Sequence, residues 1–268
     1  MLKEYKDQLE VSINEFVRGY KEEKATICNW KEPLITYAWS EDPIFLELKK
    51  IVDPQHQLPK DFMDNPKTVI AYFIPFDEVV VKSNVGGRFS SELWGISYIE
   101  TNQLIRDLNE FINKELKMLG YNSSIIPATH NFDEEKLVSH WSHRHVGYIA
   151  GLGTFGVNRM LITSKGCCGR IGSIVTDLEI PPTIRGEGEN CLYKANGSCL
   201  TCVKSCVMDA LSPDSFNRFK CYEMCLENAD NLKDIGLADV CGKCVVNQPC
   251  STKIPTQRNF SDNSTSTE

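Results

Sequence analysis

Four cysteines fall within the sixteen residues CLYKANGSCLTCVKSC, from Cys191 to Cys206. Thiols packed that closely form disulfides, hold zinc or carry iron–sulfur clusters, and each choice implies a different protein. Of the twelve cysteines in the 268-residue chain, nine lie between 191 and 250: Cys191, Cys199, Cys202, Cys206, Cys221, Cys225, Cys241, Cys244 and Cys250. The others are Cys28 and the adjacent pair Cys167 and Cys168.

Soft thiolates suit iron–sulfur clusters, four to each four-iron cluster. In two-cluster ferredoxins three closely spaced cysteines hold one cluster, and the next reaches across to the other. Cys199-x2-Cys202-x3-Cys206 keeps the last three members of such a run, and Cys191 supplies the first from further upstream, since Asn196 occupies the regular position. Cys241-x2-Cys244-x5-Cys250 mirrors it. The crossing rule groups Cys191, Cys199 and Cys202 with Cys250, and Cys206 with Cys221, Cys241 and Cys244. Cys221 is chosen over Cys225, which stays unassigned. Two structural zinc ions could use the same eight thiols, since C-x2-C pairs are also zinc knuckles.

The environment favours metal over disulfides. A chain this long builds a core without crosslinks, and its charged N-terminus lacks the apolar segment of a signal peptide. No run approaches the roughly 20 apolar residues of a membrane span. A reducing, cytoplasmic address is expected. The net charge is −7, and residues 191–250 carry six Lys/Arg against seven Asp/Glu. Without a basic stripe, the sequence argues against general nucleic-acid binding.

Further motifs lie upstream. GLGTFG, Gly151 to Gly156, matches a dinucleotide fingerprint literally, but that fingerprint follows a strand and opens a helix. The expected order here is helix then strand, so the glycines read as a tight turn that allows close backbone approach. HWSHRH places His140 and His143 on one expected helix face, bordering a pocket, with His145 pointing elsewhere. Cys167 and Cys168 read as turn residues, and Cys28 as a core residue.

The elements that would position these groups alternate between helix and strand. LKEYKDQLEVSINEFVRGY sets Leu2, Tyr5, Leu9, Ile13, Phe16, Val17 and Tyr20 on one helical stripe. KTVIAYFIPF predicts a buried strand. TNQLIRDLNEFINKELKMLGY predicts a helix capped at Thr101 or Asn102 and stopped by Gly120. SIIPAT predicts a strand, DEEKLVSHWSHRHVGYIA a helix, and RMLITSKGCCGRIGSIVTDLEI two strands around a glycine turn. The expected fold is an α/β (α+β) body over 1–185, a ferredoxin-like double-cluster module over 186–255, and a frayed polar tail over 256–268.

YIAGLGTFGVNRMLITSKGCCGRIGSIVTDLEI, followed by GSCLTCVKSCVMDAL and CGKCVVNQPC, resembles the epoxyqueuosine reductases, relatives of the reductive dehalogenases. The resemblance covers roughly residues 60–255. It implies two 4Fe-4S clusters and a cobalamin held between body and module, lined by Gly151, Gly153, Gly156, Val157, Asn158 and Met160. Electrons from a donor such as ferredoxin or flavodoxin would pass through the clusters to cobalt for reductive chemistry on a small molecule or modified nucleoside. The family's proton-donating acid would fall near Leu137 to Ser139 when counted back from Gly151, so Tyr98, Asp133 and His140 are the candidates for that role. The helical-repeat extension of longer members has no counterpart in this sequence, which together with the acidic balance argues against a tRNA substrate. Two other readings stay open: an electron carrier or corrinoid reductase without substrate chemistry of its own, and a zinc-stabilised binding module.

Overall fold

The structure, a computed structural model, describes residues 2–127 and 132–255, excluding the side chains of residues 2 and 3. The tail expected to fray lies outside the described residues. In chain order the elements are α1 (Leu2–Lys24), β1 (Leu34–Trp39), α2 (Ile44–Ile51), β2 (Thr68–Pro75), α3 (Glu78–Ser83), α4 (Glu92–Met118), β3 (Ser123–Ile125), α5 (His143–Ile149), β4 (Gly153–Phe155), β5 (Leu161–Thr163), β6 (Gly169–Thr176), α6 (Leu192–Asn196), α7 (Thr201–Lys204) and α8 (Arg218–Asn231). Among the described residues no helix is long and apolar enough to cross a membrane.

The central sheet has the order β1-β2-β6-β3, and every neighbouring pair is antiparallel. Helix and strand therefore alternate along the chain without building a parallel sheet. β2 is buried at all eight positions, and the two-residue period of a strand explains how. Ile70, Tyr72 and Ile74 face a core with Leu9, Ile13 and Val17 of α1 and Leu104, Ile105 and Leu108 of α4. Val69, Ala71 and Phe73 face the opposite way, toward Phe45 and Leu48 of α2 and Val146 and Ile149 of α5. A strand covered on both sides must be apolar throughout, which is why its sequence does not alternate.

Two expected helices differ from those observed. α4 begins at Glu92, where the Ser91 hydroxyl accepts from the Trp94 amide at 3.2 Å. Thr101 and Asn102 lie well inside it. The Thr101 hydroxyl is occupied by the helix itself, donating to the Ser97 carbonyl, and it accepts from the Trp30 indole at 2.8 Å. Gly120, at φ +84°, ends the helix as expected. The helix expected over 133–150 shrinks to α5, and the stretch before it is built of turns. There the Asp133 amide donates to the Val138 carbonyl, Gln57 donates to the His140 carbonyl, and the Ser142 amide donates to His56 Nε2. Satisfied by these long-range partners, the backbone has no need of helical bonds.

The C-terminal stretch consists of α6, α7, α8 and loops, with an isolated bridge between Leu211 and Phe216. Cys191, Cys202, Val245 and Val246 share one continuous core with Trp94, Val157 and Ile162 of the body. Gly95 of α4 makes that approach close: a Cβ there would stand 2.9 Å from both Leu232 and Ile235 side-chain carbons.

Tyr72 donates its hydroxyl to Asn109 Oδ1 at 2.8 Å, and both side chains are buried. Asn109→Leu should lower the unfolding free energy by about 1–3 kcal/mol by orphaning that hydroxyl. Adding Tyr72→Phe should recover part of the loss, so that urea denaturation finds the double variant less destabilised than the two singles summed.

Candidate iron–sulfur and substrate site

The first thiol set is shaped by local chain geometry. Cys191 precedes α6, whose last turn closes at Gly197 in the left-handed region, φ +77°. This one-turn helix takes up the residues that displace Cys191 from regular spacing. Cys199 precedes α7 and Cys202 lies on it. Together with Cys250 they line one small hollow, walled also by Gly156, Val157 and Pro249. Burial raises the Cys202 thiol to about 11, and Cys250, Cys191 and Cys199 push the same way.

The second set lines a cavity of about 210 Å³ with Cys206, Cys221, Cys225, Cys241 and Cys244 in its wall. Cys221 and Cys225, four residues apart on α8, share a helix face. A hydrogen bond with Cys225 lowers Cys221 to about 7 against the opposing effect of burial, and Arg144 adds to the lowering. Cys225 is pushed up correspondingly. Cys244 is held well above the ordinary thiol range by burial and then by Cys221, Cys241, Cys206 and Cys202. Cys167, in the wall of this cavity, has its sulfur 4.0 Å from that of Cys250 in the first hollow, so the two sets lie side by side.

The loop carrying Cys241 and Cys244 is held by buried polar contacts. Lys243, 5% exposed, donates to the Asn84 carbonyl at 3.0 Å, to Asn84 Oδ1 at 3.2 Å and to the Gly86 carbonyl at 2.7 Å. Ser90 Oγ donates to the carbonyls of Val240 and Cys241. Gly242 sits at φ +76° against the Trp94 ring, where a Cβ would approach within 2.3 Å. Among the described residues no three of His, Cys, Asp and Glu close on one point as a single metal ion requires. The thiols ring two hollows instead, and an all-thiol donor set around a hollow suits a multi-iron cluster.

No protein-family model matches the chain, and no curated protein matches it. Solved structures do. An epoxyqueuosine reductase in complex with an epoxyqueuosine-modified tRNA-Tyr stem loop superposes with a TM-score of 0.61 at 16% identity, covering 96% of this chain and 68% of that one. Epoxyqueuosine reductase from Bacillus subtilis, with a catalytic loop swung out of its active site, gives 0.57 at 17% identity over 93% of this chain and 67% of that one. The enzyme from Streptococcus thermophilus gives 0.52 at 16% identity, covering 91% and 67%. The chain has an epoxyqueuosine reductase-like fold.

Within that epoxyqueuosine reductase-like fold, the expected proton-donor candidates separate. Tyr98 lines the cavity of the second thiol set, and the Arg170 guanidinium lies 4.6 Å from its ring centre. Asp133 and His140 line a different recess, with Phe132, Glu134 and Glu135, so the three candidates do not share one cavity. Asp133 Oδ1 accepts from the Glu135 and Lys136 amides, and the carboxylate pairs with the Lys136 ammonium at 3.9 Å. His140 and His143 do not share a helix face, because His140 precedes α5. His143 bonds Ser173 Oγ and the Pro127 carbonyl, while His145 bonds Ser142 Oγ. Desolvation lowers both rings to about 4, so each is neutral at ordinary pH.

The expected cofactor-lining residues also divide. Met160 lines the second-set cavity, Gly156 and Val157 wall the first set, and Asn158 lines both. Gly151 and Gly153 line a separate groove of about 700 Å³ with Tyr148, Arg185 and Lys194. Packing within the chain accounts for these two glycines. Gly151, φ +85°, follows α5, and a Cβ on Gly153 would stand 2.2 Å from the Ile162 carbonyl oxygen of β5. Sequence reading missed Arg144 and Arg170, both in the second-set cavity. Desolvation lowers both guanidinium groups from their ordinary value, with Cys221 and Cys244 opposing it at Arg144. Basic residues in a mostly apolar stretch were the available signal.

Gly242→Ala should destabilise the chain by about 1–3 kcal/mol, because Ala resists this φ and its methyl collides with Trp94. Thiol labelling of the metal-free protein should then show faster modification at Cys241 and Cys244, measured by peptide mass spectrometry. Unchanged labelling and unchanged stability would show that the loop does not need this glycine.

Proposed function

We propose that the protein is an iron–sulfur reductase in which residues 186–255 act as a ferredoxin-like module carrying two 4Fe-4S clusters, and that it delivers electrons to a bound cobalamin. The observation that carries this reading is the grouping of the thiols. Cys191, Cys199, Cys202 and Cys250 line one hollow, while Cys206, Cys221, Cys241 and Cys244 line the adjacent one together with Cys225 and Cys167. Only the second set shares its cavity with Tyr98, Arg144 and Arg170. The first set is thus the entry point for electrons from a ferredoxin- or flavodoxin-type donor, and the second faces the reaction.

A corrinoid, when bound, would supply a strongly nucleophilic reduced cobalt; orientation and proton supply fall to the protein. Asn158 and Met160 stand in the body's wall of the cavity with Phe76 and Trp94, and Arg144 and Arg170 offer positive charge to an anionic or electron-rich ligand. Tyr98 is the one of the three acid candidates placed to hold a proton over this cavity, and the adjacent Arg170 cation stabilises the phenolate left after transfer. A second recess of about 260 Å³ adjoins the cavity, sharing Arg144, Met160, Cys167, Gly169 and Arg170 with it.

The substrate class follows from the likeness alone: a modified nucleoside. The sequence-based expectation against nucleic-acid binding is not supported, since one similar structure holds a tRNA stem loop. Net charge is a whole-chain sum and does not describe the cationic lining of one cavity.

The test is metal content per chain after oxygen-free purification from cobalamin-supplied cells. About eight irons with about one cobalt supports the reading. Eight irons without cobalt points to an electron carrier, and two zincs overturn the redox account. Cys206→Ser and Cys221→Ser should each halve the iron, whereas Cys225→Ser should leave it unchanged.

A further inference from the structure

Cys167 belongs to the body, and neither thiol set includes it. Its sulfur nevertheless lies 4.0 Å from Cys250 Sγ, a member of the first set, and also lines the cavity of the second. The turn that carries it is fixed by three backbone bonds: the Cys167 amide donates to the carbonyls of Cys250 and Ser251 at 3.0 and 3.1 Å, and the Cys168 amide to Ser251 at 2.9 Å. The next residue back makes that turn obligatory, because a Cβ on Gly166, φ +81°, would stand 2.4 Å from the Ser251 carbonyl oxygen. The contact between the two sulfurs is therefore built by the chain on both sides.

The direction of the hydrogen bonds is also fixed. Asn158 Oδ1 accepts from the Met160 amide at 3.2 Å, which turns its Nδ2 toward Cys167 Sγ at 3.6 Å. Cys167 thus accepts from Asn158 on one side and faces Cys250 on the other. A Cys250 bound to iron is a thiolate with no proton to give, so between these two sulfurs only Cys167 can donate. Cys168 Sγ is the competing acceptor for the Cys167 proton; its own S–H goes to the Val245 carbonyl at 3.2 Å, and a charged Cys250 thiolate is the stronger acceptor of the two. Cys167 is 1% exposed, so water does not compete for the bond.

We infer that Cys167 is a positioning residue that donates an S–H hydrogen bond to Cys250 Sγ and thereby raises the reduction potential of the cluster held by the first thiol set. The inference rests on the iron–sulfur reading above. A donor to a cluster sulfur stabilises the more negative, reduced state, and hydrogen bonds to the sulfurs are among the determinants of cluster potential. Asn158 acts one step further out, polarising the donating thiol.

The experiment is an EPR-monitored redox titration of the iron-loaded parent, Cys167→Ala, Cys167→Ser and Cys168→Ala. With Cys167→Ala one of the two clusters should become harder to reduce, its reduced-to-oxidised ratio at fixed potential falling by up to about tenfold, or ~59 mV for one electron. Cys167→Ser, which keeps a donor, should restore much of the shift, and Cys168→Ala should leave both clusters as in the parent. Iron content near that of the parent with both potentials unmoved in Cys167→Ala overturns the inference and leaves the reductase reading intact. Loss of iron in that variant also overturns it, by making Cys167 a ligand. A parent that binds no iron removes the reductase reading and this inference together.

Discussion

Thiols from three separate stretches of chain meet at two adjacent hollows, and what holds them there is the seating of one segment, Val240 to Ser251, against the body. Its leading end is bound by the Ser90 hydroxyl and by the Lys243 ammonium, which reaches oxygens of Asn84 and Gly86. Its far end is bound by the amides of Cys167 and Cys168 on Ser251. A buried ammonium is costly unless its protons are all satisfied; three oxygen partners meet that requirement. Each set takes members from this segment, so both depend on its position.

The body supplies that seat through an antiparallel sheet covered on both faces. β2 and β6 pair over their full length, and β6 leads directly out of the turn that carries Cys167 and Cys168. Helix α4 contributes Trp94 and Tyr98 from its first turns, and Gly95 lets the C-terminal stretch lie against it. The helix had to begin ten residues earlier than its polar cap candidates suggested, because those first turns form one wall of the cavity. Likeness to solved epoxyqueuosine reductases extends over nearly the whole of this chain but about two thirds of theirs. It establishes the shared fold.

What could be read from the sequence was what is local. The spacing of C-x2-C is set by a turn of chain, so that Cys199 lies near Cys202, and Cys241 near Cys244, can be read from the sequence. The strand at 68–75 and the stop at Gly120 were visible for the same reason. Contacts between distant residues were not. Nothing near Cys167 in sequence signals Cys250, and Arg144 and Arg170 meet the second set only through the fold. The turns before α5 deceived because their apolar and polar residues recur at helical spacing while their backbone bonds go to residues 56 and 57. β1 was missed altogether: Leu34–Trp39 is an edge strand, mixed in exposure and short of the apolar run that marked β2.

The proposed crossing of Cys206 and Cys250 between the two sets bears on how the protein is made. On the proposed reading neither cluster has all its ligands until the chain has been extended well beyond α8, and the first set waits for Cys250 itself. A nascent chain on the ribosome would present Cys191, Cys199, Cys202 and Cys206 in order, an incomplete nest open to zinc or to oxidation. Iron–sulfur insertion is then a step that follows translation of this region and depends on the cell keeping those early thiols reduced in the interval.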